Sequence, residues 1–231
     1  YYANAHPSIG NYFMLTTGQI ITNDAGHVPI VTADNIVRRI LTAGKTWKSY
    51  LESVPSVGYL GPDVFPYTRG HNPISYLSDV ANSSVQRLHL VPFTQFPKDL
   101  TNSALPNYSF IVPNQQHNGH NCPPGAPTPC SDSLILRTMD GWLKTNIGPL
   151  LSNPAFAQDG ILIIVFDEGK ETDTANGGGH IATVVVGPRV KRGFKSTHFY
   201  QHQSVLRTTL DALGIHIYPG KSATAPDLNT F

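Results

Sequence analysis

Two adjacent carboxylates, Asp167 and Glu168, close a run of apolar and β-branched residues from Ile161 to Phe166. Such a run predicts a strand buried on both faces. Acids at the carboxyl end of a buried strand are costly unless a cation neutralises them. A divalent metal with oxygen ligands meets that need, and so does a solvated turn. Further on, Gly177, Gly178 and Gly179 lead into His180 and a second apolar run, Ile181–Val186. Three glycines let backbone approach a ligand closely. His180 then either faces a site or caps the strand.

The second constellation is His6-Pro7-Ser8-Ile9-Gly10-Asn11-Tyr12. Pro7 fixes a turn and Ser8 stands at the first turn of a predicted helix. A helix N-terminus favours negative charge, whether an alkoxide or a bound phosphate. Asn11, one turn on, is placed to donate to a phosphoryl oxygen. Read alone, a serine at a helix start is more often an N-cap. Two polar loops complete the set. One carries His71 and Asn72 before Pro73, and the other carries Asn114, His117 and His120 after a strand ending near Val112. Either loop lines a site or merely turns at the surface.

The elements that must position these groups follow from periodicity and punctuation. Helices are predicted over Ser8–Thr17, Asn35–Ala43 with Asp34 as N-cap and Gly44 as stop, Ile74–Val80, Ser131–Ser152 and Gln201–Leu213. Strands are predicted over Asn107–Val112, Ile161–Phe166 and Ile181–Val186. Helices alternating with buried strands indicate an α/β fold, three layers α/β/α around a largely parallel central sheet. Ligands of such sheets bind beyond the carboxyl ends of the strands. The loops after the strands are where the histidines and carboxylates gather.

The 231 residues suffice for a single domain with a sizeable core. Sixteen Lys and Arg against fifteen Asp and Glu give a net charge of +1. That balance supplies no electrostatic reason to expect nucleic acid or an anionic membrane as partner. No apolar run is long enough for stable insertion into a bilayer. Cys122 and Cys130 flank a short loop of prolines and glycine. They are read as a disulfide, which implies an oxidising compartment, or as two separate thiols. No CxxC-type spacing marks a zinc site.

Seven segments in this order, HPSIGNYFMLTTG, TWKSYLESVP, YTRGHNP, FIVPNQQHNGH, ILIIVFDEG, GGGHIATVVVGPRVKRG and YQHQSVLRTTLDALG, resemble the phosphoesterase family of bacterial and fungal acid phosphatases and phospholipases C. That family lies in the alkaline-phosphatase superfamily. The resemblance implies an alkaline-phosphatase-like fold and hydrolysis of phosphate monoesters through a phosphoserine intermediate, with Ser8 as nucleophile. It implies one divalent ion (Ca, Mg, Mn or Zn) held by Asp167, Glu168 and Ser8. His120 or His180 would transfer protons, while His6, Asn11, His71, Asn72, Asn114 and His117 would surround the phosphate. Asn114 and His117 fall where this loop departs from the family's Asn-Asp-x-His form.

The resemblance also implies a first strand ending in a Glu-Asn pair upstream of the His-Pro-Ser motif. Residues 1–231 hold no counterpart. The expectation is a single phosphoesterase domain lacking its first strand and upstream metal-ligand motif, or one whose sheet a separate N-terminal peptide completes. Location is expected to be secreted or periplasmic. The other readings are a phospholipase C acting on phosphodiester lipids and a catalytically inactive phosphate-binding homologue.

Overall fold

A computed structural model describes residues 1–24, 26 and 28–228. The chain opens with α1 (Ser8–Thr17) and α2 (Ile36–Thr42), then β1 (Trp47–Leu51). Two 3-10 turns over Arg69–His71 and Pro73–Tyr76 precede the one-turn helices α3 (Ser78–Ala81) and α4 (Ser84–Arg87). There follow β2 (Leu90–Pro92), α5 (Gln95–Thr101), β3 (Tyr108–Val112) and α6 (Asp132–Asn146). The chain ends through α7 (Gly148–Leu151), α8 (Phe156–Asp159), β4 (Leu162–Val165), β5 (Thr183–Val186) and α9 (His202–Ala212).

The central sheet has the order β2-β1-β3, with both pairings parallel. Alternation along β1 makes the layers, since successive side chains leave opposite faces. Trp47 and Leu51 enter one core with Phe13, Ile36, Ile40 and Leu206, on the side of α1, α2 and α9. Tyr50 enters the other with Phe93, Phe96 and Trp142, on the side of α5 and α6. Trp47, Tyr50 and Phe13 are essentially fully buried. Burying each of these side chains is worth roughly 1.5–3 kcal/mol. The result is the expected α/β/α sandwich around a parallel sheet.

The strands at the carboxylate pair depart from expectation. β4 and β5 pair antiparallel with each other, Leu162 opposite Val186, and no ladder among the described residues joins them to β3. Ile163, Val165 and Val185 pack under Leu15, Tyr200 and Val205, yet Ile161 and Val184 stay 40% and 50% exposed. The two strands are half-buried: Ile163, Val165 and Val185 on one face pack into the core, while Val184 on the other reaches solvent.

Local chemistry shifts several boundaries. Asn35, not Asp34, caps α2, its side chain accepting from the Arg38 amide; Asp34 instead pairs with Arg39. The Ile74–Val80 region is a 3-10 turn followed by one α-turn, broken at Leu77, whose backbone is extended. Gly148 and Pro149 divide the predicted Ser131–Ser152 helix into α6 and α7, and Ser131 caps the first.

Candidate functional site

The amino-terminal segment delivers Ser8. Tyr2 and His180 form an antiparallel bridge, and the Ala3 amide donates to Gly179 O at 3.0 Å. This strand-like run ends at Pro7, whose extended backbone occupies the cap position of α1 without a side-chain cap bond. Ser8 is therefore the first helical residue and not the N-cap. Its hydroxyl donates to Glu168 Oε1 at 2.5 Å.

His6 closes the same carboxylate from the other side, with Nδ1 2.5 Å from Glu168 Oε2 and Nε2 2.9 Å from the Asp173 carbonyl. Both partners offer acceptor oxygens, which favours a proton on each ring nitrogen. Burial lowers the His6 pKa, but the Asp173 carbonyl and the Glu168 carboxylate outweigh it and leave it raised. A serine hydroxyl, a carboxyl group and an imidazole thus stand in one hydrogen-bonded row at a helix N-terminus.

Asn11 serves the approach of that row. It is fully buried, its oxygen accepting the amides of Asn4 and Ala5 at 2.8 and 3.1 Å and its nitrogen donating to Ala5 O at 2.7 Å. The glycine triplet serves the same segment. A Cβ on Gly177 or Gly178 would stand 2.2 Å from Asn4 O or 2.4 Å from Ala5 O. The backbone that these glycines admit is the chain's own residues 4 and 5.

His71 stacks on Tyr12, ring centroids 4.9 Å apart, one turn along α1 from Ser8. Burial lowers its pKa, against the pull of Asp167 and with the push of His120. Asn118 Nδ2 lies 3.3 Å from its Nδ1. Asn72 is buried, donating to the Tyr67 hydroxyl at 3.2 Å while its side-chain oxygen has no partner among the described residues. His120 is exposed, Nδ1 2.6 Å from Asn121 Oδ1. His180 is exposed too, its ring 4.9 Å from that of Tyr2.

Asn114 and His117 belong to a neighbouring cluster centred on Glu52, just past β1. Glu52 accepts from the Asn114 amide at 2.9 Å and from Trp142 Nε1 at 3.0 Å, and lies 2.9 Å from His117 Nδ1. Three residues escaped the sequence reading. Glu52 lies beyond a strand that composition hides. Asp173 holds the His180 amide at 2.9 Å and the His6 ring. His202, at the start of α9, donates through Nε2 to the Asp167 carbonyl at 2.7 Å. The strand-end rule was the signal that would have found Glu52; nothing in the sequence pattern singles out the other two.

Asp167 and Glu168 offer oxygen donors for a cation, with the Ser8 hydroxyl beside them. Among the described residues no three His, Cys, Asp or Glu side chains converge as a ligand set. Glu168 is already committed at both oxygens to Ser8 and His6. The residues present do not complete a metal centre by themselves; Asp167 and Glu168 would supply part of one. Cys122 and Cys130 form the disulfide, Cα atoms 5.8 Å apart.

The α/β/α sandwich thus carries a serine at a helix N-terminus against a carboxylate that follows a strand. The chain belongs to the Phosphoesterase family, whose model matches residues 1–215. It is 29% identical over 218 residues to a probable acid phosphatase of Kluyveromyces lactis, covering 89% of this chain and 48% of that protein. An acid phosphatase of Aspergillus niger is 30% identical over 217 residues, with shares of 89% and 48%. A phosphatidylinositol-3-phosphatase of Mycobacterium tuberculosis is 28% identical over 216 residues, with shares of 93% and 64%. The chain spans about half the length of the fungal relatives it matches.

Proposed function

We propose that the chain hydrolyses phosphate monoesters, with Ser8 as the nucleophile. The observation that carries this is the 2.5 Å bond from the Ser8 hydroxyl to Glu168 at the start of α1. Glu168 takes the hydroxyl proton as Ser8 Oγ bonds to phosphorus and the ester P–O bond breaks. His6 holds Glu168 in place and, as an imidazolium, balances its charge. The free amides of the first turn of α1 face the charge that develops on the phosphoryl oxygens. His120 protonates the leaving ester oxygen: its loop reaches His71 through Asn118, whereas the His180 ring lies tilted against Tyr2 beyond Asp173. His120, now without its proton, takes one from the water that cleaves the phosphoserine, the P–O bond to Ser8 breaks, and Ser8 recovers its proton from Glu168.

A divalent ion bound at Asp167 and Glu168 would add electrostatic stabilisation of the phosphoryl group. Isothermal titration of divalent ions into wild type and Asp167→Asn tests that binding without turnover. Among the described residues one edge of β3 and one edge of β4 carry no ladder, which supports completion of the sheet by another peptide. The Cys122–Cys130 disulfide supports a secreted or periplasmic location.

The test is hydrolysis of an aryl phosphate monoester by wild type and Ser8→Ala, with and without divalent ions. Turnover lost in the variant supports the reading. Turnover within a few-fold of wild type removes Ser8 from it. Turnover of phosphodiester lipids alone would replace it with a phospholipase C.

A further inference from the structure

Charge is segregated in this chain although its sum is near zero. No Asp or Glu occurs between Asp173 and Asp211, a stretch holding Arg189, Lys191, Arg192, Lys195 and Arg207. The other eleven Lys and Arg stand against all fifteen acids. Arg207 is engaged on α9, with Asp211 and the Ala223 carbonyl. The remaining four sit within seven residues on one exposed loop after β5, and none makes an ion pair among the described residues.

The loop is built to present them. The Val190 amide donates to Gly187 O at 3.2 Å and the Phe194 amide to Lys191 O at 3.4 Å, two successive tight turns. Gly193 supplies the positive φ of 69° that the second needs. Lys191 Nζ lies 5.2 Å over the Phe194 ring. Val190 and Phe194 are half-buried between the cations.

β5 runs antiparallel to β4, so the loop stands where β4 begins, at the end opposite Asp167 and Glu168. A Cβ on Gly187 would lie 2.6 Å from Gly160 O, and Ile161 beside it is 40% exposed. Asp159, just before Gly160, pairs with none of the four cations.

We propose that the loop 187–195 docks the protein on a bilayer surface rich in anionic lipid. Cations presented beside an exposed isoleucine suit the interface of a membrane: charge is drawn to the headgroups and Ile161 settles among them. A nucleic acid would use the cations and leave the apolar groups without a role. The geometry turns the Ser8 end away from the bilayer, so a docked molecule reaches water-soluble esters. That consequence rests on the reading of Ser8 given above; the docking itself does not.

The experiment is co-sedimentation of the chain with vesicles of phosphatidylcholine, alone or with phosphatidylserine, at low and raised salt. Pelleting should require phosphatidylserine and weaken with salt. The variant Arg189→Gln, Lys191→Gln, Arg192→Gln, Lys195→Gln should lose roughly two to three orders of magnitude in partitioning, with an unchanged circular dichroism spectrum and melting temperature. Pelleting that ignores phosphatidylserine, pelleting retained in the folded variant, or capture by duplex DNA but not by vesicles would overturn the proposal. Because the readout is binding, the result does not depend on whether Ser8 is the nucleophile.

Discussion

His202 should make the fold lose stability in mild acid, and the size of the loss follows from its surroundings. The ring is fully buried, Nε2 donating to the Asp167 carbonyl and Nδ1 lying 3.3 Å from the Tyr1 hydroxyl. Burial drives its pKa from 6.5 down to about 4, against the smaller opposing pull of the Asp167 carbonyl and carboxylate. Below about pH 6.5 the unfolded chain takes up a proton that the folded ring refuses, so stability falls with pH until both states are protonated. That gap amounts to roughly 3 kcal/mol, lost between about pH 6.5 and about pH 4.

His202→Gln removes the titration while keeping an N–H for the Asp167 carbonyl. Urea unfolding of both proteins, followed by fluorescence of Trp47 and Trp142 over that range, measures the difference. The wild type should lose roughly 3 kcal/mol more than the variant. Burial opposes ionisation of Asp79 and Asp99 as well. Hydrogen bonds from Arg38 to the first and from Lys48, Gln95 and Tyr50 to the second still hold both below the usual range. Their stabilisation is present above the ordinary carboxylate range and is lost at still lower pH, equally in both proteins, so it cancels. Parallel pH curves for wild type and variant would refute the reasoning.

Other perturbations test the site and its support. Glu168→Gln keeps an acceptor for the Ser8 hydroxyl but cannot take its proton; kcat should fall by roughly 10²–10⁴ with little change in KM, and a kcat within a few-fold of wild type would dismiss Glu168 as the base. Gly178→Ala drives a methyl against Ala5 O and Ala3 Cβ, at 2.4 and 2.7 Å. It should cost about 1–3 kcal/mol in chemical denaturation and lower turnover by displacing His6, whereas wild-type stability would show that the contact relaxes freely. Reducing the Cys122–Cys130 disulfide, which closes a short loop, should cost about 2–3 kcal/mol; a melting temperature indifferent to reductant would contradict that.

Much of the frame was legible because local chemistry and tertiary packing agree there. α1 falls on Ser8–Thr17 as its apolar face and Gly18 dictate. Strong apolar runs mark β3, β4 and β5 to within a residue or two. β1 was invisible because its sequence, WKSYL, sets Lys48 and Ser49 among its apolar residues. Lys48 is nonetheless accommodated in the sheet by Asp99, 2.6 Å away. With β1 hidden, Glu52 beyond it was hidden too.

The pairing of Ser8 with Glu168 joins residues 160 positions apart, and only the resemblance to phosphoesterases suggested it. Glycine residues 177–179 were read as a cradle for a ligand. A glycine's lack of Cβ says that something approaches closely, not what; here the neighbours are residues 4 and 5 at Gly177 and Gly178, and Asp173 at Gly179. The same limit applies to charge: a sum near zero concealed the basic loop at 189–195, because a sum carries no position.

The central claim is that Ser8 takes the phosphoryl group. Acid quenching of the chain during turnover of an aryl phosphate, followed by peptide mass spectrometry, tests it most directly. The account predicts a phosphoryl adduct on the peptide bearing Ser8, absent from Ser8→Ala. Turnover proceeding at wild-type rate with no adduct on Ser8, or an adduct on another residue, would contradict it.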